Sequence, residues 1–388
     1  MTPWKRKLRM GMIGGGQGAF IGGVHRMAAA VDGQIELVAG CFSRDFENTR
    51  KTGAELYLDP ARCYRSYEEM AEAEAKLPAD KRIDFVSIVT PNKAHFGPAK
   101  AFLEAGFHVV CDKPMTYSLD EAKQLEQIVE KTGLVFALTH NYTGYPMVRE
   151  ARELFRSGAM GTVRKVLVEY VQEFLAAPLE KEGMKQAVWR TDPAQSGVGG
   201  TIGDIGTHAA NLLEYITSDP IAEICAEKST FLPGRVLDED VNVLLRLKSG
   251  GKGMLAACQV AIGEENALRI KIYGSEGALM WEQENPNYLM VGRMGEPLRR
   301  HTRGSGFATK PAQDVTRLPS GHPEGFIEAF ATIYMEAAAA IRAFIDGAPM
   351  KASQYRFPTV HDGVRGLEFI TKAVESSDAG ASWVKLAP

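Results

Sequence analysis

Apolar and polar positions along the chain change their period near residue 140. Before it, short apolar runs alternate with stretches in which apolar residues recur every three to four positions. The runs predict strands at 10–13, 36–41, 85–89, 107–111 and 134–139, and the periodic stretches predict helices at 21–31, 46–56, 67–75, 98–105 and 119–131. The run 85–89, Phe-Val-Ser-Ile-Val, has the near-continuous apolar character of a strand buried on both faces. Gly106 and Gly133 stand where two of the helices need a C-cap. Strand and helix in alternation make βαβ units, hence an α/β fold with a doubly wound parallel sheet. After residue 141 the period is often two and the segments are longer. They predict strands at 163–174, 222–231, 240–247, 253–260 and 268–273, with helices at 145–157, 208–217 and 326–345. That pattern is an α+β domain on a largely antiparallel sheet, so the expected division is 1–140 and 141–388. Residues 283–321, polar and rich in Gly, Pro and Arg, predict an excursion outside the core.

Composition narrows the class of molecule. At 388 residues the chain has room for two domains of ordinary size, and 45% hydrophobic with 24% charged residues is a globular balance. A formal charge of −3 and the lack of a long basic block give no reason to expect a nucleic-acid partner. No apolar run approaches the roughly 20 residues that span a bilayer, so no membrane partner is expected. The opening, Met1 to Arg9, is basic, yet a short strand running into glycines follows it instead of an apolar leader core. Five widely spaced cysteines form neither a disulfide framework nor a metal knuckle, which predicts a reducing, cytoplasmic setting. The eight histidines include no H-x₃-H pair, and no metal is expected.

Chemistry enters at the first βα turn, Gly14-x-Gly16-x-x-Ala19. Small residues are needed there for a tight turn, for backbone to approach a pyrophosphate, and for a helix to pack close to its strand; amides at the helix start then face the phosphates. The motif lies between a predicted strand and a predicted helix, the context that gives it meaning, and marks 1–140 as a dinucleotide-binding domain. Gln17 and Phe20 count with it as cofactor contacts. At the end of the second strand, Ser43-Arg44-Asp45 is ambiguous: Ser43 with Arg44 suits a 2′-phosphate, whereas Asp45 suits a ribose hydroxyl or caps the next helix.

Two further segments carry candidate catalytic groups. The strand at 107–111 ends in Asp112-Lys113-Pro114, and a proline stops the strand and restricts the residue before it. Lys113 is thereby fixed at a strand end, where open α/β sheets bind ligands. In Gly203-Asp204-Ile205-Gly206-Thr207-His208, the aspartate and histidine are four apart at the start of a helix and share one side of it. A histidine beside a carboxylate is an oriented acid or base.

Taken with Thr90-Pro91-Asn92-x-x-His95, these motifs resemble the glucose–fructose oxidoreductase and inositol dehydrogenase (Gfo/Idh/MocA) family from about residue 8 to about 367. His140-Asn141-Tyr142-Thr143-Gly144-Tyr145-Pro146, Trp189-Arg190-Thr191-Asp192-Pro193 and Gly321-His322-Pro323-Glu324-Gly325 resemble a subgroup of levoglucosan and cyclitol dehydrogenases. The resemblance implies a nicotinamide-dependent oxidoreductase acting on a secondary alcohol of a sugar, anhydrosugar, glycoside or cyclitol. It implies catalytic roles for Lys113, Asp204 and His208, and places Thr90, Pro91, Asn92, His95, Asp112, Lys113 and Asn141 around the cofactor. NAD is the expected cofactor, with NADP left open by residues 43–45. Tyr142, Tyr145, Trp189 and Arg190 are candidate substrate contacts beside Asp204 and His208, since aromatic faces and planar donors suit a sugar ring. The resemblance also implies a homodimer or homotetramer packed through the second sheet. Two other readings share the scaffold: an enzyme that cleaves or epimerises a glycoside through transient oxidation, and a non-catalytic nucleotide-sensing regulator.

Overall fold

The computed structural model describes residues 6–387, so the first five residues of the basic opening lie outside it. The chain forms two compact units, one of Met1–Asn141 with Ile327–Val364, the other of Tyr142–Phe326 with Arg365–Pro388.

In the first unit five parallel strands, β1 (Leu8–Gly14), β2 (Ile35–Cys41), β3 (Phe85–Val89), β4 (His108–Cys111) and β5 (Phe136–Leu138), lie in the order β2-β1-β3-β4-β5. The order reverses between β1 and β3, so a crevice opens at the carboxyl ends of those two strands. Every residue of β3 is buried, Ser87 included, as its near-continuous apolar run requires. The helices are α1 (Phe20–Val31), α2 (Phe46–Glu55), α3 (Tyr67–Lys76), α4 (Phe96–Glu104) and α5 (Leu119–Thr132). Ser66 and Ser118 cap α3 and α5 by accepting from the backbone of Glu69 and Glu121, and Gly133 ends α5 in the left-handed conformation.

The second unit opens with α6 (Pro146–Arg156) and β6 (Val163–Val171). Two short helices follow, α7 (Lys185–Arg190) and α8 (Pro193–Ser196), then a π-helical turn at Ile202–Gly206 that runs into α9 (Thr207–Thr217). The sheet is completed by β7 (Ile221–Ser229), β8 (Asp240–Leu247), β9 (Lys252–Cys258), β10 (Ala267–Gly274), β11 (Gly277–Glu282), β12 (Tyr288–Arg293), β13 (Arg299–Thr302) and, after α10 (Lys310–Asp314), the late strand β14 (Val384–Lys385). Nine strands take the order β13-β12-β11-β10-β6-β9-β8-β7-β14, and only β6 and β9 pair in parallel.

Two expectations need correction. Residues 283–321 are not wholly outside the core: β12 and β13 extend the sheet, and Leu289 and Val291 are buried on it. The apolar signal of β12 is short, with Gly292 and Arg293 closing it, and the edge strand β13 begins on the exposed Arg299 and Arg300. Nor does a single boundary after residue 140 divide the chain, since α11 (Phe326–Ile345) lies almost wholly within the return to the first unit. Its Tyr334 donates to or accepts from His25 Nδ1 and Ser87 Oγ, each at 2.7 Å, tying the late helix to α1 and β3. Leu138 N then donates to Pro358 O, adding an edge to β5. The last helix, α12 (Val360–Asp378), was not expected. Gly363 and Gly366 weaken its helical signal, yet a Cβ at 363 would strike the Met115 side chain at 2.4 Å.

Candidate active site

The glycine turn at the end of β1 is built by close approach of backbone. Gly14 has φ +85°, and a Cβ there would lie 3.0 Å from Val89 O and 3.1 Å from Thr90 N. A Cβ on Gly16 would meet Asn48 Oδ1 at 2.4 Å. The contact that brings α1 against the turn is not at Ala19: a Cβ on Gly22 would stand 2.3 Å from Gly15 Cα. Ala19 is instead the N-cap, and no side chain caps the helix. No acidic residue occupies its first turn either, so the positive end of α1 is left to a ligand. Gln17 faces α2: its backbone N–H donates to Asn48 Oδ1 and Thr52 Oγ1, and its side chain donates to Glu55. Phe20 is 69% exposed beside it. At the end of β2, Asp45 is a helix cap, accepting from Glu47 N, and Ser43 Oγ accepts from Asp45 N, while Arg44 is exposed. Of the alternatives for this segment, capping is the one Asp45 fulfils.

Across the crevice, Thr90 Oγ1 donates to Ala94 O, shaping the turn that carries Pro91 and buried Asn92. His95 is buried between two backbone carbonyls, Nδ1 at 2.8 Å from Pro114 O and Nε2 at 2.7 Å from Thr90 O. It therefore ties the turn after β3 to the turn after β4. Asp112 Oδ1 accepts from Lys113 N and Thr139 Oγ1, both at 2.9 Å, and the Lys113–Pro114 peptide is cis. Lys113 is half-buried. His140 is pushed down to about 3, by burial first and then by the Lys113 charge, and stays neutral. Asn141 is 2% exposed, and its Nδ2 has no partner within the protein. An orphaned buried amide asks for a ligand acceptor, and with the uncapped helix and the Cβ-free turn it fits a dinucleotide.

In the second unit the π-helical turn sets Asp204 four residues before His208. Its entry is fixed by Asp238, buried, whose two oxygens accept from Gly200 N at 2.6 Å and Ile202 N at 2.8 Å. Asp204 Oδ2 accepts from Arg190 Nε and from Gln259 Nε2, each at 2.9 Å. Arg190 lies over the Trp189 ring, and Trp189 Nε1 donates to Gln186 Oε1. Two expected substrate contacts are thus joined to the catalytic candidate itself, with Arg190 holding its carboxylate. His208 is 6% exposed and meets the Tyr142 ring edge-on, centroids 4.7 Å apart. Tyr142 OH is 2.5 Å from Tyr170 OH, which donates to Asn266 Oδ1. Tyr145 departs from its expected role: at 2% exposed it stacks on Tyr142 and packs against Trp281, which makes it core.

Sequence reasoning missed Gly22, Asp238, Tyr170, Gln172, Gln259 and Asn266. A signal existed for three of them, since polar residues at 172, 259 and 266 break the inward apolar register of their strands.

Comparison with known proteins agrees with this architecture. Residues 8–140 match the oxidoreductase family with an NAD-binding Rossmann fold, and residues 148–280 match the GFO/IDH/MocA C-terminal domain. An inositol dehydrogenase homolog from Azotobacter vinelandii, solved with NAD+, is 34% identical with a TM-score of 0.95, covering 98% of both chains. The same homolog solved with NADH and myo-inositol gives 33% and 0.92, again covering 98% of both. Levoglucosan dehydrogenase from Pseudarthrobacter phenanthrenivorans is 26% identical over 98% of each chain.

Proposed function

The chain belongs to the Gfo/Idh/MocA oxidoreductase family, and from that premise we propose that it is an NAD-dependent dehydrogenase oxidising a ring carbinol of a sugar, anhydrosugar, glycoside or cyclitol to the ketone. The observation that carries the reading is the Asp204–His208 turn, a carboxylate fixed by Arg190 and Gln259 one turn ahead of a buried histidine. The relatives named with levoglucosan and with myo-inositol support it.

The bound cofactor supplies the hydride acceptor. Gly14, Gly16 and the uncapped start of α1 would hold its phosphates, with Gln17, Ala19 and Phe20 at the rim; Asn92 and Asn141 would hold the nicotinamide half, on turns that His95 ties together through both ring nitrogens. His208 takes the hydroxyl proton as the carbon gives up its hydride, and Asp204 orients it. Lys113 holds and polarises the reacting oxygen. Tyr142 supports the His208 ring at the substrate. His208→Ala and Lys113→Ala each lower kcat by about 10²–10⁴-fold while NADH still binds. Near wild-type turnover by His208→Ala between about pH 6 and 9 refutes the assignment of the base. Net accumulation of NADH separates this reaction from transient oxidation, in which none builds up.

The outward face of the second sheet carries Leu244 and Met254, 46% and 49% exposed, and it packs on the same face of a second copy to make a homodimer or homotetramer. The cysteines described are all free thiols, which suits a cytoplasmic protein. No helix among the described residues is long and apolar enough to cross a membrane.

A further inference from the structure

Three adjacent strands of the second sheet change character at one end and on one face. Along β6 the inward positions read Val166, Val168, Tyr170 and then Gln172; along β9 they read Leu255, Ala257 and then Gln259; back along β10 they read Ile272, Ile270, Leu268 and then Asn266. The pairings Ala267↔Val171 and Val171↔Cys258 put Asn266, Gln172 and Gln259 side by side, one residue beyond the last paired positions. This is the face under the π-helical turn that leads into α9, since a Cβ on Gly206 would stand 3.4 Å from that of Ala257.

An amide at an inward position costs free energy unless hydrogen-bonded, and three in a row make a deliberate polar floor. Gln259 is fully committed: Oε1 accepts from Thr201 Oγ1, and Nε2 donates to Asp204 and to Gln172 Oε1. It is 1% exposed, so it positions Asp204 without meeting a ligand. Gln172 Nε2 donates to Asn266 Oδ1 at 2.5 Å, and Asn266 Nδ2 reaches Tyr142 OH at 3.4 Å. These two are only half-buried; Asn266 Nδ2 has a second hydrogen to offer, and the second hydrogen of Gln172 Nε2 meets only Tyr170 OH at 3.4 Å, a long contact that a ligand hydroxyl can replace. Both arginines near the row are paired, Arg190 to Asp204 and Arg235 to Glu180 and Glu239, so carboxylates outnumber guanidinium groups in these pairs.

We infer that Gln172 and Asn266 are specificity-determining residues that read the hydroxyls of an uncharged cyclic polyol, and that phosphorylated or nucleotide-linked sugars are poor substrates. The inference rests on the dehydrogenase reading. Amides suit hydroxyls because each donates and accepts, whereas a phosphate brought to this row finds both arginines already paired and Asp204 repelling it.

The test compares myo-inositol, levoglucosan and methyl glucoside with glucose 6-phosphate and UDP-N-acetylglucosamine, following NADH formation. Thermal shifts of the NADH-loaded protein with the same compounds are the second readout. Neutral polyols should have the higher kcat/KM. Gln172→Leu and Asn266→Leu should each raise KM about three- to tenfold, the scale of one lost hydrogen bond, with a smaller change in kcat. Gln172→Met, of similar volume, replaces any variant that does not fold. A preference for either charged compound, or an unchanged KM in both variants, overturns the inference and leaves the dehydrogenase reading standing. Turnover of none, with myo-inositol raising Tm in wild type but not in Gln172→Leu, overturns the dehydrogenase reading and the substrate-specificity claim with it, and leaves Gln172 as a polyol-binding residue only. Neither turnover nor binding of any compound overturns both.

Discussion

Replacing Gly22 by alanine tests how the nucleotide turn is built. The new Cβ would lie 2.3 Å from Gly15 Cα and 2.9 Å from Gly15 O, where ordinary contact begins near 3.4 Å. Both obstacles are backbone, so no side chain can swing aside, and α1 must retreat by about 1 Å from the turn. Overpacking of this kind costs about 1–3 kcal/mol, set against roughly 0.5–1 kcal/mol gained from alanine's better helix propensity. At about 2–4 °C per kcal/mol the unit should melt a few degrees lower. The retreating helix end also takes its amides from the phosphates, so the NADH dissociation constant should rise about tenfold or more. Gly23, the next residue, has nothing within 4 Å of its Cβ direction and supplies the control. Gly23→Ala should bind NADH as wild type does and melt at the same temperature or slightly higher. Thermal unfolding and fluorescence titration of both variants decide the matter. If the two variants are indistinguishable, the Gly15–Gly22 approach is no constraint and the reasoning fails.

Burial pushes His25 and His108 down to about 4, and Val135 N donates to His108 Nδ1, so both are neutral in the fold. The unfolded chain binds their protons first, so stability falls as pH drops from about 6.5 to 4, by about 3 kcal/mol per histidine, and is kept above 6.5. His108→Gln, followed by denaturant unfolding across that window, should flatten the slope; an unchanged slope refutes it. Leu244→Glu with Met254→Glu should yield monomers by light scattering, and an unaltered mass, or a monomeric wild type, removes this face as the interface.

Elements of the first unit were legible because each strand and helix announces itself locally, down to the caps at Gly106 and Gly133. The glycine motif, Lys113 and the Asp204–His208 spacing were legible for the same reason. What stayed hidden depends on partners distant in sequence. Periodicity says that α11 is buried but not that it covers the first sheet, because Tyr334 meets Ser87 across 247 positions. Arg190 looked like a free donor for a sugar until folding brought Asp204 to it. Tyr145 looked like a pocket wall, and only Trp281 behind it shows that it is core. The segment 283–321 reads as loop because β12 has only two buried apolar positions, Leu289 and Val291, and the edge strand β13 starts with two exposed arginines.

The return of Ile327–Val364 to the first unit also bears on how the protein is made. A ribosome releases the whole five-stranded sheet roughly 190 residues before the helix that completes its packing, a delay of about ten to forty seconds at ordinary elongation rates. During it the surface awaiting α11 is bare, with His25 and Ser87 lacking the hydroxyl that joins them. The nascent chain is most in need of a chaperone in that interval, and a gene fragment cut at residue 141 would make that exposed state permanent.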